Sequence, residues 1–340
     1  MTRKLNVAVI GYGYWGPNLA RNVELSEEFE LVCICDFSKA TLKKASTNHA
    51  NVKLVTSIED ALKLEHLDAI IIATPASSHF ALGMKALKKN KHVLIEKPLA
   101  QTSRECRLLI KEAQFRNLVL MVDHTFAYTG AVRKMNDLAK TSLGDLLYYD
   151  SVRINLGLFQ RDVNVMWDLA VHDLSILDLV TGFTPKAVSA TGLAHVDGYP
   201  TNTAYLTLYY ENSFIAHIHC SWMAPVKIRQ TLLGGSNRMI VYDDLEPTEK
   251  IKVYDKGILL NPTDEEKYDM RVDYRTADMY SPKLNSVEAL AMLIQEFAEC
   301  VSSNRKPITD ANSGFRVVSI LEAADISLSK HGEPVPVVDI

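Results

Sequence analysis

The stretch Leu5-Asn6-Val7-Ala8-Val9-Ile10-Gly11-Tyr12-Gly13-Tyr14-Trp15-Gly16 constrains the fold of this chain more than any other. An apolar run of strand length passes straight into three glycines spaced G-x-G-x-x-G. A second apolar run, residues 31–35, ends in Asp36, twenty positions after Gly16. A strand, a glycine-rich turn, a helix and a later acid form the unit that binds a dinucleotide. Gly11 permits the tight turn, Gly13 lets backbone approach a pyrophosphate, and Gly16 lets helix pack on strand. Free N–H groups at the helix start then face the phosphates. The acid selects the cofactor: a carboxylate at Asp36 hydrogen-bonds ribose hydroxyls and repels a 2′-phosphate, which favours NAD over NADP. Lys39 stands close enough in sequence to soften that repulsion.

The pattern that begins here continues. Strand-like runs at 6–10, 31–36, 53–55, 69–73, 92–95 and 119–122 alternate with helical patterns at 18–25, 39–48, 58–64, 78–89 and 103–116. Short apolar strands divided by amphipathic helices predict a parallel sheet covered on both faces. Ser57 and Thr102, each followed three residues later by an acid, read as helix starts. After Asp123 the texture changes. Alternating runs at 146–155, 187–194, 204–210, 214–221, 228–233 and 238–242 follow one another with turns between, as in an antiparallel sheet. One helix interrupts them, at 165–181, and Gly182 ends it. Residues 246–282 carry no clear pattern, and two further helices read at 285–302 and 314–330. The expected fold class is α/β: an N-terminal Rossmann domain over 1–122, then an α+β domain over 123–340 with a large, mostly antiparallel open sheet.

A chain of 340 residues is long enough for two cores. Its net charge of −4, without a long basic run, argues against nucleic acid as a partner. No apolar stretch reaches the length of a membrane span. The residues before the first strand leave no room for a secretory leader. Five cysteines, with none in a C-x-x-C pair, read as reduced core thiols, so a cytoplasmic protein is expected.

Two constellations carry chemistry. The fifth strand ends in Glu96-Lys97-Pro98, and ligands of a doubly wound sheet sit outside the carboxyl ends of its strands. Lys97 is therefore expected beside the nicotinamide, unless it is an ordinary surface lysine. The second is Trp167-Asp168-Leu169-Ala170-Val171-His172-Asp173. Asp168 and His172 stand four apart on an otherwise apolar helix and share a face. A carboxylate beside an imidazole sets its tautomer and raises its basicity, as a general base requires; the alternative is a structural pair. Asp173 points elsewhere and reads as a cap or a core hydrogen-bonder. His217 and His219 share one strand face, but nothing completes a metal site, so no metal is expected. For the substrate, Arg153 and Asn155 share a strand face, with Gln160, Arg161 and Asp162 in the loop beyond. An arginine there suits a diphosphate or a sugar carboxylate; the alternative is a salt-bridged sheet surface. His124, Thr125 and Phe126 follow the sixth strand and are expected to line the cleft between domains.

Taken together, Gly11 to Gly16, Ala73-Thr74-Pro75 with His79, Glu96-Lys97-Pro98 and Asp168-x-x-x-His172 resemble the Gfo/Idh/MocA oxidoreductases, over nearly the whole chain. The resemblance implies NAD(H) or NADP(H), and oxidation of a sugar hydroxyl or reduction of a keto-sugar. It implies Lys97, Asp168 and His172 as the catalytic set. It extends the cofactor site to Tyr14, Trp15, Thr74, Pro75, His79, Glu96 and His124, and the substrate site to Phe126 and Trp167 beside Lys97 and His172. A cis Lys97–Pro98 bond is implied too, as is a homodimer or homotetramer built through the C-terminal sheet. Residues 14–22 and 159–164 look like the branch that acts on nucleotide sugars at C3. A free polyol such as an inositol is the second substrate class. A dinucleotide sensor without catalysis is a reading of another kind, against which the three catalytic candidates speak. Either His172 or Lys97 can take the hydroxyl proton.

Overall fold

The computed structural model describes residues 3–157, 159–255, 264 and 278–339. Contacts group the chain into two compact units: Met1–Tyr128 with Val287–Ser319, and Thr129–Ser286 with Ile320–Asp339.

The first unit holds β1 (Leu5–Ile10), α1 (Gly16–Leu25), β2 (Phe29–Cys35), α2 (Lys39–Asn48), β3 (Lys53–Val55) and α3 (Ile58–Leu62). It continues with β4 (Ala69–Ile72), α4 (Ala76–Lys88), β5 (His92–Glu96), α5 (Ser103–Phe115) and β6 (Leu120–Asp123). The six strands are parallel in the order β3-β2-β1-β4-β5-β6. That order reverses direction between β1 and β4, where a doubly wound sheet opens its ligand crevice. The strands are apolar on both faces because helices cover both. Ile70, Ile71 and Ile72 are completely buried in succession, and each contributes roughly 1.5–3 kcal/mol relative to exposure. Ser57 and Thr102 cap α3 and α5, accepting from the N–H groups of Asp60 and Glu105, as the sequence predicts.

The second unit holds α6 (Gly130–Thr141), β7 (Leu146–Leu156), a π-helical turn (Met166–Ala170) and α7 (Val171–Thr181). It continues with β8 (Ala187–Leu193), β9 (Thr203–Tyr209), β10 (Ile215–Ser221), β11 (Met223–Gly235), β12 (Met239–Asp243), β13 (Ile251–Tyr254) and β14 (Met279–Tyr280). After α8 (Ala289–Ser303) and α9 (Ala311–Ser329), β15 (Val335–Pro336) closes the sheet. The order is β14-β13-β12-β11-β7-β10-β9-β8-β15, antiparallel except where β7 meets β10. Alternation is clean: Ala204, Leu206, Leu208, Ala216 and Ile218 are buried, while Tyr205, Tyr209 and Ile215 are 38–52% exposed on the other face. Gly182 ends α7 in the left-handed region, φ 64°, where only glycine sits without strain.

Three features depart from the pattern. The helix expected at 165–181 opens with a π turn before α7. The strand expected at 228–233 lies inside the longer β11, whose pairing with β7 slips between Met223 and Ile228. Part of the unassigned stretch 246–282 forms β13 and β14; the rest lies outside the described residues, apart from its turns. Helix α8 and the start of α9 join the first unit. Phe297 stacks on Phe29 at 5.8 Å, Glu288 takes a two-pronged contact from Arg21, and Thr309 accepts from Val122 N–H along the free edge of β6.

Candidate active site

In the first unit the glycines divide their labour. A Cβ on Gly11, whose φ is 92°, would lie 2.6 Å from the Ala73 carbonyl oxygen, and one on Gly16 would lie 2.3 Å from the Gly11 oxygen. Both are glycines because backbone packs against them. A Cβ on Gly13 would meet nothing within 4 Å. No internal packing explains that glycine, whereas the close approach of a phosphate does. A cleft of about 550 Å³ runs past Gly11, Gly13, Asp36, Ser38, Thr74 and Pro75. Asp36 is fixed at its rim. One carboxylate oxygen accepts from Tyr12 N–H at 2.9 Å and the other from Ser38 N–H at 2.8 Å. The residues present thus fit a dinucleotide: an open glycine face, a helix start at Gly16, and an oriented acid.

Other expected cofactor residues have different surroundings. Tyr14 and Trp15 are exposed at the tip of the turn, edge to face at 5.9 Å, and are not in the cleft lining. His79 is buried, with Nδ1 2.7 Å from the Pro98 oxygen and Nε2 2.8 Å from that of Thr74. It staples the Thr74-Pro75 loop to the Lys97-Pro98 turn, and its engaged nitrogens make it a support for the cleft. Burial holds its imidazole below the ordinary range. His124 is buried as well.

The Lys97–Pro98 bond is cis, and Lys97, half-buried, directly follows the end of β5. Its N–H donates to Glu96 at 3.0 Å. Glu96 is itself paired in register with Asp123 on β6. Both carboxyls are buried. Burial first, and then the neighbouring Asp123 charge, push Glu96 well above the usual carboxylate range. Burial also raises Asp123, against the hydroxyl that Thr125 donates to it. Phe126 is half-buried in the short 3-10 turn Thr125–Tyr128.

In the second unit the π turn carries Asp168, and His172 lies in the first turn of α7. Asp168 accepts from the indole N–H of Trp222 at 3.0 Å; Trp222 is buried where β10 gives way to β11. Asn164 accepts from the N–H groups of Met166 and Trp167 and so caps the π turn. Asp325 on α9 accepts from Trp167 Nε1 and Asn164 Nδ2, both at 2.7 Å. Burial nevertheless keeps Asp325 above the usual carboxylate range.

The expected substrate ligands divide. Arg153 is 2% exposed, and its guanidinium spans the Asp173 carboxylate at 2.6 and 3.1 Å. That corrects the expectation of a phosphate or carboxylate ligand, because a buried fork facing an internal acid is a core ion pair. Asp173 is the core partner its position suggested. Asn155 is half-buried and Gln160 exposed. Arg161 donates to the Tyr199 hydroxyl at 3.2 Å and lies over its ring at 5.1 Å. His217 faces Asp150 at 3.3 Å, and His219 stacks on Tyr205 at 4.3 Å. Ser38, Asp123, Asp325 and Trp222 also shape these regions, although the sequence pattern does not mark them as site residues. Ser38 alone left a signal, as a capping residue directly before α2.

Comparison with known proteins bears on both units. Residues 5–124 match the model of the oxidoreductase family with an NAD-binding Rossmann fold, and residues 159–242 match the GFO/IDH/MocA C-terminal domain. A UDP-N-acetylglucosamine 3-dehydrogenase of Acidithiobacillus ferrooxidans is 31% identical over 76% of this chain and 78% of its own length. A scyllo-inositol 2-dehydrogenase (NAD(+)) of Bacillus subtilis is 22% identical over 91% of this chain and 89% of its own. A solved structure of the Acidithiobacillus ferrooxidans enzyme superposes with a TM-score of 0.83 at 24% identity, covering 97% of this chain and 99% of the other. That likeness shows the shared fold.

Proposed function

The chain belongs to the Gfo/Idh/MocA oxidoreductase family, and from that premise we propose that it oxidises a secondary hydroxyl of a nucleotide-linked sugar at C3, or reduces the corresponding ketone, with NAD. The observation that carries the redox reading is the glycine face at Gly13 beside an Asp36 carboxylate held by two backbone N–H groups. Such an acid favours ribose hydroxyls over a 2′-phosphate, which supports NAD against NADP. The nucleotide-sugar reading rests on the 31% identical relative.

A bound nicotinamide dinucleotide supplies the acceptor for the hydride that leaves the carbinol carbon. The rest is side-chain chemistry. The hydroxyl proton passes to His172, on the helix turn that Asp168 precedes, as the oxygen gains negative charge. Lys97, as an ammonium, donates to that oxygen and stabilises the charge. In the reverse assignment a neutral Lys97 takes the proton. Trp167, Phe126, Asn155, Gln160 and Arg161 are the residues we assign to the sugar and its diphosphate. Five buried thiols suit a reducing compartment, and among the described residues no helix is long and apolar enough to cross a membrane. The outer sheet face bearing Tyr205, Tyr209 and Ile215 is our choice for a homodimer or homotetramer contact.

The test is NADH absorbance with a panel of UDP-sugars and polyols, beside Lys97→Ala. Turnover of a UDP-sugar that the variant loses supports the reading. Turnover of polyols alone overturns the substrate class and keeps the chemistry. Dinucleotide binding without turnover on any sugar points to a sensor.

A further inference from the structure

Tyr12, the second residue of the glycine turn, differs from its neighbours. Tyr14 is 88% exposed and Tyr12 only 4%. Its hydroxyl lies 2.9 Å from Nε2 of His49, the capping residue that ends α2. The two rings stand perpendicular, with centroids 5.6 Å apart. His49 is buried too, and its Nδ1 is 2.7 Å from a carboxylate oxygen of Glu24 on α1, a close electrostatic contact that lacks the angle of a hydrogen bond. A carboxylate beside Nδ1 favours the tautomer with the proton there. That leaves Nε2 as the acceptor and the Tyr12 hydroxyl as the donor. The main chain of the same tyrosine donates to Asp36. One residue therefore joins α1 and the end of α2 to both the turn and the acid at the cleft rim.

Nothing in the proposed reaction uses these groups, and burying a phenol, an imidazole and part of a carboxylate is costly unless they satisfy one another. We propose that Glu24, His49 and Tyr12 form a positioning relay that holds the glycine turn and Asp36 in the shape that receives the dinucleotide, and so sets its affinity. The proposal rests on the dinucleotide reading of the cleft. Tyr12, His49 and Glu24 are not among the residues lining the cleft, so the tyrosine hydroxyl anchors the turn from behind it. Without the anchor, the Tyr12 N–H and the carboxylate it orients must be ordered when the dinucleotide binds. Ordering at the moment of binding weakens affinity, whereas preorganisation strengthens it.

The test measures NADH dissociation constants by protein fluorescence on the full chain, with thermal midpoints recorded alongside. Tyr12→Phe removes one hydroxyl and should raise the Kd about five-fold, the scale of one buried hydrogen bond. Glu24→Leu, a change at a partly exposed position, should raise it about two-fold, and Glu24→Gln, which keeps an acceptor, should restore most of the loss. Because the residues act in series, the double variant Tyr12→Phe/Glu24→Leu should bind no worse than Tyr12→Phe alone. A merely structural role would shift the midpoints without that pattern in affinity. Wild-type binding with Tyr12→Phe within experimental error of it overturns the proposal, as do two effects that simply multiply. A wild type that binds neither NADH nor NADPH overturns the reading of the cleft, and the relay with it.

Discussion

The dinucleotide cleft of the first unit and the Asp168–His172 region of the second make their polar sites in opposite ways. The cleft is built from backbone: Gly11, Gly13 and Gly16 shape it, and main-chain N–H groups of Tyr12 and Ser38 orient its one acid. The second region is built from side chains held by distant side chains. Trp222 reaches Asp168 from 54 positions away, and Asp325 reaches Trp167 from 158. Backbone devices need particular residues at fixed local spacing and so leave a motif. Side-chain networks need only complementary groups that the fold brings together.

Breaking the chemistry should give the largest effect. Lys97→Ala is expected to lower kcat/KM on the true substrate by about 10²–10⁴, the range of general acid–base and charge-stabilising groups. Its Kd for NADH should stay within a few-fold of wild type. Steady-state kinetics with direct cofactor titration checks this. A cofactor Kd raised as steeply as kcat/KM falls would make Lys97 a binding residue and remove it from the reaction.

The next break is in the core behind the second region. Arg153→Ala leaves the Asp173 carboxylate buried beside a lost partner, which costs about 3–5 kcal/mol. Arg153→Met with Asp173→Leu should recover most of that, since a well-packed apolar pair replaces a buried ion pair at little cost. Denaturant melts of the three proteins decide it. A single variant as stable as the double would mean that solvent reaches Asp173 readily, against its 2% exposure.

The glycines sharpen the comparison further. Gly13→Ala meets no atom within 4 Å, so it should leave stability within about 0.5–1 kcal/mol of wild type. Gly16→Ala places a methyl against main chain and should destabilise the unit by about 1–3 kcal/mol. Gly13→Ala should nonetheless weaken NADH binding about ten-fold, because the ligand is what needs that space. Equal stability losses at the two positions would take away the distinction between a packing glycine and a binding glycine.

These contrasts explain what the sequence could reveal. The first sheet was readable throughout, because β1 to β6 are apolar on both faces and amphipathic helices separate them. The motif residues were readable where a local turn demanded them: Gly11, Gly13, Gly16, Asp36, and the capping Ser57 and Thr102. The π turn was not, because Met166–Ala170 has the composition of an ordinary helix, and it is capped by Asn164, whose amide is held in turn by the distant Asp325. Arg153 looked like a ligand because strand alternation tells which residues share a face but not which face is buried. The return of α8 to Phe29 lay beyond the sequence pattern for a related reason. An apolar helical stripe announces that it will be covered without naming what covers it.

The smallest expected effect separates the two ways of handling buried charge. In the second unit Asp173 is neutralised by Arg153. In the first, Glu96 and Asp123 share a strand register, and Lys97 beside them only partly offsets burial and mutual repulsion. A carboxyl whose folded-state pKa is raised contributes its full stability below the unfolded value, near 4.5 for Glu96. That contribution is lost as pH rises through the folded value. Wild type should therefore lose thermal stability from about pH 5 upward, by roughly 2–4 °C across the window in which the pair gives up its proton. Glu96→Gln cannot ionise, and its amide N–H can donate to Asp123, so its midpoint should be flatter over the same window. Differential scanning calorimetry of both proteins in steps from pH 5 to 9 reads the difference. Parallel curves would mean that Lys97 already balances the pair, with both carboxylates ionised beside it and no proton shared between β5 and β6.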